Sequence, residues 1–213
     1  MTELQLRKQA IATALRMNAL GINRGKSGNV SARWKNGFLV TPSGRPYQET
    51  KPGDIVFIDD KAKAKGKHAP SSEWRFHFDI YQRKGEVNAV VHTRSSFATT
   101  LACLAMAVPS FHYMVAVAGG NSIRCAPYAT FGTQTLSDNA LKALDGRKAC
   151  LLANHGLIAT GENLKSALAL AVEVEALCEQ YWRALQIGSP NLLSDEEMAV
   201  VVDKFKTYNT QLR

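Results

Sequence analysis

Cysteine is sparse. Cys103, Cys125, Cys150 and Cys178 are the only four in 213 residues, and no two stand in a CxxC spacing. This excludes a disulfide framework and a cysteine-built zinc site, and it fits a reducing cytosol. No apolar run approaches the ~20 residues that span a bilayer. The polar start Met1-Thr2-Glu3 lacks the apolar core of a signal peptide. A soluble, cytoplasmic protein without a membrane partner is expected. Internal repeats and low-complexity linkers are missing too, which leaves one domain over residues 1–213. Acidic residues are in deficit, 18 against 26 Lys plus Arg, for a net charge of +8. Such an excess suits nucleic acid or a small anion. The densest basic cluster, Lys61, Lys63, Lys65 and Lys67, alternates with Ala and Gly and has no interleaved aromatics. It reads as a solvated hairpin tip rather than a base-stacking platform, so a phosphorylated metabolite is the expected partner and nucleic acid is not.

The most informative stretch is Ala89-Val90-Val91-His92-Thr93-Arg94, an apolar run of β-formers that delivers His92 to a strand end. Alternate side chains of a strand share a face, so His92 and Arg94 should point into one space. Two histidines at that spacing would clamp a divalent cation, but a guanidinium is always protonated and has no lone pair to give. Ala149 to Leu152 leads in the same way to Asn154-His155-Gly156, and Pro70-Ser71-Ser72-Glu73-Trp74 brings a carboxylate to a helix start. Glu73, His92 and His155 together make a common ligand set for zinc or a similar first-row ion. Hydrogen bonds from the two histidines to strand-end backbone, and simple dipole compensation by Glu73, are the alternatives.

Along the chain, Thr2 and Gln5 form a capping box for a helix over about Glu3 to Leu20, closed by Gly21. Asn23 to Ser31 is a small-residue loop able to present backbone N–H groups to a phosphate, and it leads into alternating Val30, Ala32 and Trp34. Strands are expected at Phe38–Val40 and Asp54–Ile58, and a helix after Ser71 and Ser72 with Trp74, Phe78 and Tyr81 on one stripe. Ser95 or Ser96 should cap a helix through Leu104, and Ser137 to Leu144 reads as another. The longest periodic segment runs from Leu164 to Ile187 and stops at Gly188 and Pro190, before a last helix from about Ser194 to Lys206. The mixed order of elements predicts a single layered α/β domain, a central mixed or antiparallel sheet flanked by helices.

These residues resemble the class II aldolase/adducin family, and within it the L-fuculose-1-phosphate aldolase branch. The likeness rests on Ser27 to Ser31, Thr41-Pro42-Ser43-Gly44, Pro70 to His77, Val90-Val91-His92, His112-Tyr113-Met114, Ala126 to Gly132, Asn154-His155-Gly156 and Lys204 to Tyr208. The resemblance implies a homotetramer with active sites between subunits and a bound zinc ion, with manganese or cobalt as the alternatives. Gly28 with Asn29, Ser43 with Gly44, and Ser71 with Ser72 would hold the substrate phosphate. Glu73 would bind the metal in the empty site and handle the substrate proton in turnover. Tyr113 and Tyr208 would serve the aldehyde end, which Phe131 would line. His92 and His155 match metal ligands, but the family's third imidazole falls on Arg94. The implied reaction cleaves a ketose 1-phosphate, L-fuculose 1-phosphate or a 5-deoxypentulose phosphate, to dihydroxyacetone phosphate and a small aldehyde. Epimerase or decarboxylase chemistry on the same site, or an adducin-like module weakened by Arg94, are the alternative functions.

Overall fold

The computed structural model describes residues 1–208. Helix α1 (Glu3–Ala19) opens on the expected capping box, with Thr2 and Gln5 satisfying each other's backbone, and ends as the chain turns left-handed at Gly21. A meander follows: β1 (Asn29–Trp34), β2 (Gly37–Val40), β3 (Val56–Asp59) and the short β4 (Ala64–Lys65), each antiparallel to the one before. Strand β3 begins at Val56 rather than Asp54 because Pro52–Asp54 winds into a 3-10 turn. The lysine-rich segment is the β3–β4 hairpin, as its alternation suggested.

Next come α2 (Trp74–Arg83), β5 (Ala89–Thr93), α3 (Ser96–Cys103), β6 (Cys125–Ala126), α4 (Gln134–Ala143), β7 (Ala149–Leu152) and β8 (Gly156–Gly161). Helix α4 starts three residues earlier than its apolar pattern indicates, because the Thr133 hydroxyl accepts from Leu136 N and caps it. The last described elements are α5 (Leu164–Ile187) and α6 (Asp195–Tyr208). Among the described residues the eight strands form one sheet in the order β4-β3-β2-β1-β5-β8-β7-β6, antiparallel except for the β6–β7 pair. The sheet is therefore mixed, by one short parallel pairing at its edge.

Apolar residues cover both faces. Val30, Ala32, Val91 and Leu157 pack towards α1, α3 and α5; Val90, Ile158 and Cys150 face α2 and α4 with Phe76, Ile80 and Leu136. Strand alternation thus assigns His92, next to Val91, to the α2 face. The end of β5 is tightly flanked. A methyl group on Gly28 would lie 2.5 Å from the His92 carbonyl oxygen, and one on Gly156 2.3 Å from that of Thr93. Glycine is required at both positions for the neighbouring strands to approach so closely.

Candidate active site

Three elements bring the carboxylate and the two imidazoles together. Glu73 is the N-cap residue of α2, but its side chain does not cap the helix. It turns inward instead, 2.5 Å from His155 Nε2 through Oε1 and 3.3 Å from His92 Nε2 through Oε2. His92 comes from the fully buried strand β5, and His155 from the β7–β8 turn, which Asn154 makes possible by taking a left-handed conformation at φ 55°. The donor atoms of Glu73, His92 and His155 all lie within 4.8 Å of one another.

The donor set fits a divalent cation. His92 Nδ1 donates to the Leu157 carbonyl at 2.8 Å, which fixes the tautomer and leaves the Nε2 lone pair facing the cluster. That buried Nε2 has no hydrogen-bond partner among the described residues. Burial pushes the His92 imidazole down to about 4, against the pull of Glu73, so it is neutral at physiological pH. Burial also works to raise the Glu73 carboxyl, but His92, the hydrogen bond from His155 and the charge of Arg94 outweigh it and hold Glu73 well below the usual carboxylate range. An ionised carboxylate beside a neutral, pre-oriented imidazole is a ligand set in waiting. Glu73, His92 and His155 are the residues that would hold the ion.

Arg94 follows β5 and reaches the same space, as the strand spacing indicated. Its Nη2 lies 3.4 Å from Glu73 Oε1 and 3.3 Å from His155 Nε2, and its side chain is 40 % exposed. A cation of the protein thus stands at the mouth of the cluster, where a third imidazole would complete the ligand set.

Beside the cluster opens a cavity of about 440 Å³, lined by Gly28, Asn29, Ser43, Gly44, Ser71, Ser72, Glu73 and Arg94. Its walls are two paired loops. Pro42 bridges to Pro70, Ser43 N donates to Ala69 O, and Ser71 N donates to Thr41 O, so the Ser43–Gly44 turn is held against the Ser71–Ser72 turn. Arg24 and Lys26 also line the cavity, and Lys26 Nζ bonds to the Gly44 carbonyl at 2.9 Å. These two cations were overlooked in the sequence; basic side chains within a small-residue loop were the signal available. Ser71 accepts from Glu73 N at 3.3 Å rather than capping α2 from outside. Asn29 lines the cavity and also has partners outside it. Its amide is engaged at both ends, Nδ2 donating to Glu73 Oε2 at 2.7 Å and Oδ1 facing His77 Nε2 at 2.5 Å.

Tyr113 and Phe131 are not among the described residues that line this cavity. Tyr113 is half-exposed on the turn Tyr113–Ala118, stacked on His112. Phe131 is exposed near the rim, since its neighbour Gly132 approaches the Ser72 carbonyl so closely that a methyl group would lie 2.8 Å away. Tyr208 is the last residue of α6, and its side chain lies outside the described part of the structure.

The profile of the family described as Class II Aldolase and Adducin N-terminal domain matches residues 8–182. The chain belongs to the class II aldolase/adducin family. Among relatives of this class II aldolase/adducin chain, the 5-methylthioribulose-1-phosphate/5-deoxyribulose-1-phosphate aldolase of Rhodospirillum rubrum is 55% identical, over 99% of this chain and 96% of that protein. The L-fuculose phosphate aldolase of Escherichia coli K12 is 51% identical over 98% and 97% of the two. A solved structure of an L-fuculose 1-phosphate aldolase superposes with a TM-score of 0.92 at 40% identity, over 95% of this chain and 96% of that one. The fold expected from the sequence is the fold of this family.

Proposed function

We propose that the protein is a metal-dependent aldolase that cleaves a ketose 1-phosphate, of the L-fuculose or 5-deoxypentulose type, to dihydroxyacetone phosphate and a small aldehyde. One observation carries the reading: an anion-ready cavity and an ionised buried carboxylate share a wall, with Glu73 lining the cavity that Ser43, Gly44, Ser71 and Ser72 form. The relatives' names favour this chemistry over the epimerase, decarboxylase and adducin-like alternatives, since they are aldolases of such phosphates.

Cleavage breaks the C3–C4 bond. The C4 hydroxyl gives up its proton as the aldehyde carbonyl forms, the bonding pair passes into a C2–C3 enediolate, and C3 takes a proton. The hydroxyls of Ser43, Ser71 and Ser72, with Lys26, hold the phosphate. Glu73 moves the proton at C3, from a position that Asn29 fixes. His92 and His155, joined by Glu73 in the empty site, would hold a divalent ion, zinc first and manganese or cobalt as alternatives, and that ion would supply charge stabilisation for the negative charge that develops. Tyr113 and Tyr208 serve the C4 oxygen beside Phe131. The half-exposed Tyr113, which is not among the described residues lining its own chain's cavity, suits a site completed by a neighbouring subunit of a homotetramer. Residues 1–213 would act as one domain, in the cytoplasm.

The test is Glu73→Gln, which keeps the side-chain size but cannot exchange a proton near neutral pH. Retro-aldol turnover, read by coupling dihydroxyacetone phosphate to a dehydrogenase, should fall to background while the circular dichroism spectrum is unchanged. Near-normal turnover would remove Glu73 from the mechanism.

A further inference from the structure

Strand β1 carries an unusual face. Asn29, Ser31 and Arg33 alternate with its apolar residues, and they turn towards α2 rather than water; Asn29 is 2% exposed and Ser31 0%. Helix α2 and its N-cap answer with Glu73, His77 and Tyr81, also buried. Two residues along a strand advance about 6.6 Å and four along a helix about 6 Å, so the two sets stay in step. Each meets the other in turn. Asn29 bonds to Glu73 at 2.7 Å and to His77 at 2.5 Å, Ser31 to His77 at 2.7 Å and to Tyr81 at 2.8 Å. Arg33 donates to the Tyr81 and Lys84 carbonyls at 3.0 and 3.1 Å, and lies 5.0 Å from the centre of the Tyr81 ring.

The direction of every bond follows from the carboxylate. Ionised Glu73 only accepts, so Asn29 must present Nδ2 to it and Oδ1 to His77. His77 must then donate from Nε2 and accept at Nδ1, which requires the Ser31 hydroxyl to donate, and Tyr81 to donate to Ser31. Burial keeps the His77 imidazole neutral, pushed down to about 3. The ends also match the helix dipole, with the Glu73 anion at the start of α2 and the Arg33 cation on its last carbonyls.

We propose that His77 is a positioning residue for the reaction, acting on Glu73 through Asn29 as the middle rung of this polar ladder between β1 and α2. It rests on the role given to Glu73 above. A purely apolar contact would let α2 slide or rotate by fractions of an ångström, whereas a directed chain of hydrogen bonds fixes both the height of Glu73 over the cavity and which oxygen faces the histidines.

The test uses the metal-loaded enzyme and three variants. His77→Phe retains ring volume and the stack on Phe76, whose centroid lies 4.6 Å away, but loses both nitrogens. His77→Gln keeps an N–H for Asn29. Ser31→Ala frees His77 Nδ1. His77→Phe should lower kcat at least tenfold while KM, and the Kd for inorganic phosphate, stay within about twofold; His77→Gln should regain most of that loss. Ring ¹⁵N shifts should show His77 as the Nε2–H tautomer from pH 6 to 8, with Ser31→Ala losing that preference. Unchanged kcat in His77→Phe, equal losses in kcat and phosphate binding, or an Nδ1–H tautomer would each overturn the proposal. Should His77→Phe fail to fold, the tautomer and Ser31→Ala decide. Glu73→Gln is run alongside: activity surviving there overturns the role of Glu73 and this inference with it, whereas a dead Glu73→Gln beside a normal His77→Phe overturns the ladder alone.

Discussion

Arg94→His tests how the site is charged. The guanidinium touches two of the three donors, at 3.4 Å from Glu73 Oε1 and 3.3 Å from His155 Nε2, so it opposes a cation in two ways. It denies the ion a third imidazole, and it repels it. Two unit charges about 5 Å apart repel by roughly 3 kcal/mol at an effective dielectric of 20 and by under about 1 kcal/mol in water, and a dication doubles either figure. With 40 % of its side chain exposed, Arg94 has room to swing outward, which brings the repulsion to the water-like end, about 1–2 kcal/mol. The missing ligand is the larger cost, since loss of even an outer partner of a ligand lowers affinity by roughly 10–100-fold. Arg94→His should therefore tighten metal binding at least a hundredfold, about 3 kcal/mol, and raise cleavage at least tenfold. The unmodified protein should leave chelator dialysis with less than one ion per chain and gain activity as zinc, cobalt or manganese is added. Elemental analysis, calorimetric titration and retro-aldol rates of the two proteins side by side supply the answer. Stoichiometric metal in the unmodified protein, with no gain on substitution, would refute the reasoning.

Two further perturbations address the scaffold. Gly156→Ala places a methyl 2.3 Å from the Thr93 carbonyl oxygen; overpacking of this kind costs roughly 1–3 kcal/mol, and thermal unfolding should drop by about 2–4 °C for each, with an unchanged melting temperature counting against the tight flanking of β5. Acid should destabilise the metal-free protein well above the carboxylate range. His77 and His92 are held neutral, pushed to about 3 and about 4 by burial, whereas the unfolded chain protonates them near 6.5. The unfolded state therefore binds more protons, and stability falls as pH falls from 6.5 towards those values. Between pH 6.5 and 5 each histidine withdraws about 2 kcal/mol. Urea titrations at pH 7 and pH 5 should differ accordingly, and His77→Phe should show about half the difference; identical midpoints for the native chain would contradict neutral burial.

What the sequence revealed was mostly local. The Thr2 and Gln5 capping box, the apolar run before His92, the lysine hairpin and the glycine stop at 188 all act within a few residues, and each stands where its spacing put it. Partnerships across long sequence distances were not legible. Helix α3 was expected to be capped by Ser95 or Ser96. The Ser95 hydroxyl instead donates to Glu175 at 2.6 Å, and Glu175 accepts from Phe97 N and Ala98 N at 2.8 Å, from a helix some 80 residues on. The resemblance gave Asn29, with Gly28, to the substrate phosphate. Only the packing of α2 against β1 shows that the amide belongs to Glu73. His77 was hidden for the same reason, since a polar residue on the buried side of an amphipathic helix has no meaning until its strand partner is known.

The strand order also governs how the site comes into being. Strands β1 to β4 each pair with the next in sequence, as do β7 and β8, but β5 pairs with β1 across some 60 residues and with β8 across some 70. Closing loops of that length precedes any reward from the contacts they bring, so such pairings are the slow ones. The strand that carries His92 is the link between two locally formed halves, Glu73 and Asn29 belonging to one and His155 to the other. The three candidate ligands are together only once β5 has paired with both neighbours. Assembly of the candidate site is thus tied to completion of the sheet.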